Sequence, residues 1–282
     1  MLLARHENEI SETTDVAEHP ELADRRTTKR IDGREVTGWF TEDFIFAEIT
    51  TLRARERLPF RNHEEDGRFK IPSLEEVLDF ARRKSLEIGR VIGIYPETKH
   101  PSYFRSLGLP LEESLVATLE AQGYRGPLAP VYIQSFETGN LKALRERTDL
   151  PLIQLLDDEG QPWDLAEAGD PRTYRDLATP QGLAGIARYA NGIGPSKRLI
   201  VPAGPDGRLG SPTSLVADAH RAGLLVHPWT FRSEEAFLAP DYEGNPEREY
   251  EQFYDLGVEG LFSDFADVAV RVRDTWLARR QP

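Results

Sequence analysis

The chain has 282 residues, 39% of them hydrophobic and 29% charged, a balance that suits a globular fold with a sizeable core. Its 35 basic and 48 acidic side chains leave a formal charge of −13, which disfavours nucleic acid and acidic lipid surfaces as partners, and no basic stripe offsets it. The absence of cysteine excludes disulfides, thiolate metal sites and a thiol nucleophile, and no apolar run approaches the ~20 residues of a membrane span.

The opening "MLLARHENEI" holds no signal peptide, only a short strand-like "LLAR" followed by His6. Residues 7–71 are polar with few periodic apolar positions. They read as a long irregular excursion, with a hairpin at 31–36 turned by Asp32-Gly33 and a stretch of helical spacing at 41–54 that packs on a domain.

After Pro72 the pattern changes. Ser73 and Glu76 form a capping box that opens an amphipathic helix over 73–86, and "GRVIGIYPE" reads as a buried strand at 89–97. A helix over 111–121, a strand at 130–136 and a helix over 140–147, capped by Thr138, come next. They lead to a strand at 151–156, a polar stretch through Arg175, and a helix over 181–190 with Pro180 in its first turn. The last elements are a short segment at 192–197, a helix over 214–223, a strand at 224–231, a helix over 246–257, a strand at 260–265 and a terminal helix over 267–279. Gly123, Gly223 and Gly257 stop helices ahead of strands.

Short apolar strands alternating with helices predict an α/β protein with a parallel sheet covered on both faces. About six helix–strand units are countable, where a closed (β/α)8 barrel has eight. The count falls two units short of a closed barrel. Polar residues gather where strands end: Glu97 and Lys99, Gln134 and Ser135, Asp157 and Asp158, Trp229 and Thr230, Ser263 and Asp264. In a barrel those ends share the rim where active sites sit.

Within "IGIYPETKHP", Glu97 is a hard oxygen ligand and Lys99 a point cation, alternate residues that share a side of an extended chain. Together they suit a divalent ion and an anionic, phosphate-bearing ligand. A plain surface ion pair is the competing account. His6, at the end of a strand, is a candidate general acid or base, with a purely structural histidine as the competing account. His100 reads as a loop residue near the site, His227 as a core residue and His220 as part of a helix face; His19 and His63 lie in the polar segment with no role. Trp229 fits either a substrate contact or a barrel plug. No P-loop, dinucleotide loop, HExxH or GxSxG occurs. The residues alone indicate a barrel enzyme with metal-assisted chemistry.

"LLARHENEISETTDVAEHPELADRRTTKRIDGREVTGWFTEDF", "IGIYPETKHP", "YIQSFE", "HPWTFR" and "GVEGLFSDF" together resemble the glycerophosphodiester phosphodiesterase family, most closely its longer, periplasmic-type branch. The resemblance implies a TIM (β/α)8-type barrel, one domain over 1–282 that is incomplete at its beginning, with 7–71 as an inserted cap. It also implies a divalent cation (Ca2+ or Mg2+) and metal-assisted hydrolysis of small glycerophosphodiesters to an alcohol and sn-glycerol 3-phosphate. It assigns catalysis to His6 and Lys99, metal binding to Glu97, and substrate contacts to Arg5, Lys99, Gln134, Trp229 and Phe231. It also implies a periplasmic or secreted location, with a cytoplasmic one left open by the missing leader, and is silent on oligomeric state. The family's His-Arg-Gly, Pro-Glu-Asn-Thr and Glu-x-Asp motifs, which belong to its first two strands, do not precede His6. The expectation is thus a hydrolase impaired in this chain, with a non-catalytic phosphate-binding or degenerate relative as the alternative.

Overall fold

The computed structural model describes residues 1–280. The chain divides into two compact units, residues 1–131 and 132–280, each described in turn.

The first unit exists because the 7–71 segment builds a core of its own. Ile10, Val16, Leu22, Trp39, Ile49, Leu52 and Ile71 are buried together, and the Trp39 indole N–H donates to the Leu22 carbonyl at 2.7 Å. These apolar residues are spaced irregularly, so no helical or strand period announces them. The hairpin is as expected: β1 (Thr27–Ile31) pairs antiparallel with β2 (Arg34–Gly38), and Asp32 and Gly33 turn it with φ of 46° and 78°. Positive φ at both central residues is the signature of a turn whose twist matches its strands. The 41–54 stretch holds a 3-10 turn, Thr41–Asp43, and one short helix, Phe46–Ile49, which buries Ile49.

Helix Leu74–Ile88 begins as read. Ser73 Oγ accepts from Glu76 N–H, and the Glu76 carboxylate accepts from Ser73 N–H. The strand expected at 89–97 does not form. Only Ile94 pairs, in parallel with Val131, and its N–H donates to the Pro130 carbonyl at 2.9 Å. In a parallel ladder the next donors on either side of this bridge belong to Pro96 and Pro130, which carry no N–H, so the pairing stops after one step. Helices Pro101–Ser106 and Leu111–Ala121 follow.

The second unit holds the predicted parallel sheet. Strands β3 (Ile133–Ser135), β4 (Leu152–Leu156), β5 (Gly192–Pro195) and β6 (Leu225–Val226) lie side by side in chain order, each joined to the next through helical segments. β4 is buried at every position, as a strand covered on both faces must be. β5 leaves room for that packing. A Cβ on Gly194 would come 2.6 Å from Leu155 Cδ2, and one on Gly192 would come 2.8 Å from the Leu225 carbonyl oxygen. Two more parallel bridges, Ser196 with Trp229 and Phe231 with Ser263, extend the same order, the second being all that forms of the strand expected at 260–265. The polar stretch before Arg175 contains a short helix, Trp163–Glu167, whose Asp164 carboxylate accepts from Gly139 N–H at 2.6 Å and from Thr138 Oγ1 at 2.9 Å. Helix Thr138–Arg145 is therefore capped by a distant aspartate, not by Thr138 itself. No helix among the described residues is long and apolar enough to cross a membrane.

Candidate active site

In the first unit the chain leaving "LLAR" brings His6 and Glu7 to the tip of the 92–101 segment. Glu7 is the hub. Its Oε1 lies 3.1 Å from His6 Nδ1 and 3.3 Å from Lys99 Nζ, while its Oε2 lies 3.0 Å from His100 Nε2. Lys99 Nζ is in turn 3.7 Å from Glu97 Oε1. Three contacts in series thus link His6 to Glu97 through Glu7 and Lys99.

The other ring nitrogen of His100, Nδ1, lies 2.6 Å from Asp32 Oδ2 at the hairpin turn. Asp32, His100, Glu7, Lys99 and Glu97 therefore alternate in charge along one chain of contacts. Electrostatics follow from that alternation. Burial opposes the His100 cation, but hydrogen bonds to Asp32 and Glu7 outweigh it and raise its pKa to about 9. Burial would raise the Glu7 carboxyl, yet hydrogen bonds to His100 and His6 and the Lys99 charge hold it well below the usual carboxylate range.

A second acidic group anchors the neighbouring segment. Lys29 Nζ reaches Glu42 Oε1 at 3.0 Å and Asp43 Oδ1 at 2.6 Å, Tyr103 OH donates to Glu42 at 2.6 Å, and the Asn8 amide donates to the same carboxylate at 3.2 Å. This fixes Asn8, and with it the His6-Glu7 dipeptide, against the helix that follows His100.

The residues expected at the site divide between the two units. His6, Glu97 and Lys99 meet in the first, with the His6 side chain 79% exposed and open to a ligand. Arg5 turns away, hydrogen-bonding Thr13 through both its backbone carbonyl and its hydroxyl. Gln134 is buried within β3. Trp229 is half-buried, its indole N–H donating to the Gly194 carbonyl at 2.7 Å and its ring meeting Phe136 edge-on. Phe231, also expected to contact substrate, lies in the core. It has no exposed surface and is enclosed by Tyr250 and Phe253, because its position beside Ser263 points it into the core.

The donors do not make up a divalent-cation site. Among the described residues no three His, Asp or Glu side chains converge as ligands. Glu97 Oε1 is buried without a hydrogen-bond partner, which suits an electrophile, but it is one oxygen where calcium or magnesium takes about six. Glu7, the other carboxylate on Lys99, is already shared by three cationic or N–H donors.

Sequence reasoning passed over Glu7 and Asp32. An acid directly after His6 was the available signal for the first. For Asp32 the sequence signals a turn and nothing more.

The profile of the glycerophosphoryl diester phosphodiesterase family matches residues 1–268. The chain belongs to that family. A glycerophosphodiester phosphodiesterase of Arabidopsis thaliana is 37% identical over 94% of this chain and 72% of its own length. A glycerophosphodiester phosphodiesterase of Haemophilus influenzae is 25% identical over 95% of this chain and 77% of its own. The fold is that of a solved glycerophosphoryl diester phosphodiesterase structure from Silicibacter pomeroyi, with a TM-score of 0.63 at 18% identity over 97% of this chain and 78% of that one. Family membership accounts for the parallel α/β sheet of the second unit and makes the phosphodiester bond the chemistry to test at His6.

Proposed function

We propose that this protein hydrolyses glycerophosphodiesters, releasing an alcohol and sn-glycerol 3-phosphate. The observation that carries the reading is Glu7 Oε1, which serves an exposed imidazole and an ammonium together, in a member of a phosphodiesterase family. The names of the similar enzymes support the substrate class.

With its Nδ1–H donated to Glu7, His6 keeps Nε2 as the nitrogen that exchanges a proton at the open face. A water oxygen bonds to phosphorus, the bond from phosphorus to the alcohol oxygen breaks, and His6 Nε2–H protonates the departing alkoxide; the water proton restores the imidazolium. Lys99, 3.3 Å from Glu7 and half-buried, offers a point charge to a phosphoryl oxygen as negative charge grows there. No step is assigned to a metal ion, since the donor set falls short of one.

Incubating the purified chain with glycerophosphocholine, glycerophosphoethanolamine and glycerophosphoglycerol, with and without added calcium or magnesium, should release glycerol 3-phosphate. The His6→Ala variant should release little. Absence of release from the unaltered chain on all three substrates under both conditions overturns the proposal.

A further inference from the structure

We infer that His100 is a positioning residue, held between Asp32 of the hairpin turn and Glu7, that assigns one Glu7 oxygen to itself so that the other is presented to His6 and Lys99. The inference rests on the hydrolytic reading only in what it says about turnover. Its geometry stands apart from that reading.

The first observation is the division of labour on Glu7. Oε2 meets His100 Nε2 at 3.0 Å, and Oε1 meets His6 Nδ1 and Lys99 Nζ. A carboxylate free to spin would serve these partners interchangeably. The His100 ring fixes it, because the ring itself is fixed at its far side by Asp32, 2.6 Å away, and its side chain is 16% exposed.

The second observation is where backbone strain lies. Among the described residues three non-glycine positions take positive φ, and two of them, Asp32 at 46° and His100 at 49°, are hydrogen-bonded to each other. A left-handed residue is disfavoured because its Cβ crowds the following carbonyl oxygen. Aspartate tolerates it, but histidine at a helix N-cap, where His100 provides no side-chain cap, gains nothing local from it. The conformation aims the ring between two carboxylates drawn from segments 68 and 93 residues distant in sequence.

The third is need. His6 is so exposed that packing does little to orient its ring, and Glu7 is the hydrogen-bond partner that does. The charged groups facing His100 are Asp32 from the hairpin and Glu7 from the first segment, with Lys99 adjoining in sequence; the group facing His6 is Glu7. A hairpin in the first unit thereby reaches the proton-transferring ring through two side chains.

Two variants separate positioning from simple stapling: His100→Asn and Asp32→Asn, both of which keep a residue that accepts positive φ. The His6 imidazole is titrated by NMR in each folded variant. Loss of the His100 cation leaves the Glu7 charge more fully available to His6, so the His6 pKa should rise by roughly half a unit in His100→Asn, and less in Asp32→Asn. In the same variant kcat on glycerophosphocholine should fall about tenfold with KM within about twofold, since an interaction felt in the transition state is lost. A folded His100→Asn protein whose His6 titration is unmoved overturns the inference. If His100→Asn fails to fold, an unmoved His6 titration in Asp32→Asn overturns it equally. A moved titration in a chain that hydrolyses nothing supports the inference and defeats the hydrolytic reading alone.

Discussion

The Lys197 ammonium lies 2.8 Å from one Glu249 carboxylate oxygen and 3.0 Å from the other, with both side chains buried and the Phe231 ring 5.5 Å from the cation. Burial lowers the Lys197 pKa and raises that of Glu249, and their mutual attraction opposes both shifts. Removing one partner strands the other charge in the core. Glu249→Ala should therefore cost about 3–5 kcal/mol in urea unfolding, while the paired change Lys197→Met with Glu249→Leu should cost much less. A single variant within about 1 kcal/mol of the parent would mean that water reaches the pair.

His6 gives the opposite profile. Exposed as it is, His6→Ala should leave stability within about 0.5 kcal/mol of the parent. Turnover of glycerophosphocholine should drop by roughly 10²–10⁴, the usual worth of a positioned proton donor. Equal loss of stability and activity would place His6 in the scaffold.

The His100 clamp makes stability depend on alkaline pH. Its pKa is raised from 6.5 to about 9, so its contribution is complete below about pH 6.5 and is lost as pH rises through 9. A shift of that size corresponds to about 3 kcal/mol as an upper figure. Glu7, held low, contributes in the other direction: its share is present above the ordinary carboxylate range and lost only in strong acid. Thermal melts should be flat from about pH 5 to 6.5 and decline by pH 9. That alkaline decline should vanish in His100→Asn; its persistence there would assign the effect to another group.

Phe231 offers a test of core against pocket. As a fully enclosed ring stacked on Tyr250, it should lose about 3–5 kcal/mol of stability on truncation to alanine. The KM of whatever enzyme remains folded should stay near that of the parent. A rise in KM at unchanged stability would restore Phe231 to the substrate pocket.

Signals confined to neighbours in sequence were readable. Ser73 and Glu76 meet within one helical turn, Asp32-Gly33 sets its hairpin by local φ, and Gly123, Gly223 and Gly257 end helices with positive φ. The parallel sheet followed from apolar runs between helices. What escaped depends on partners far along the chain. Thr138 looks like a cap until Asp164 arrives from 26 residues away, and 89–97 looks like a strand until Pro130 turns out to be opposite it. The meeting of Glu7 with His100 is of the same kind. The closeness of Glu97 and Lys99 follows from their alternate places on one segment; that Glu7 joins them to His6 does not, because no spacing rule links residue 7 to residues 99 and 100.

The bare backbone of β5 ties the future of its neighbours to its own. At Gly194 the obstacle to a methyl group is the flexible tip of Leu155, whereas at Gly192 it includes the main-chain oxygen of Leu225. A Gly194→Ala change is repairable by trimming Leu155 to valine, so those two positions are free to drift as a pair. Gly192 has no such companion, since nothing shortens a carbonyl, and it will stay glycine for as long as this sheet keeps its spacing.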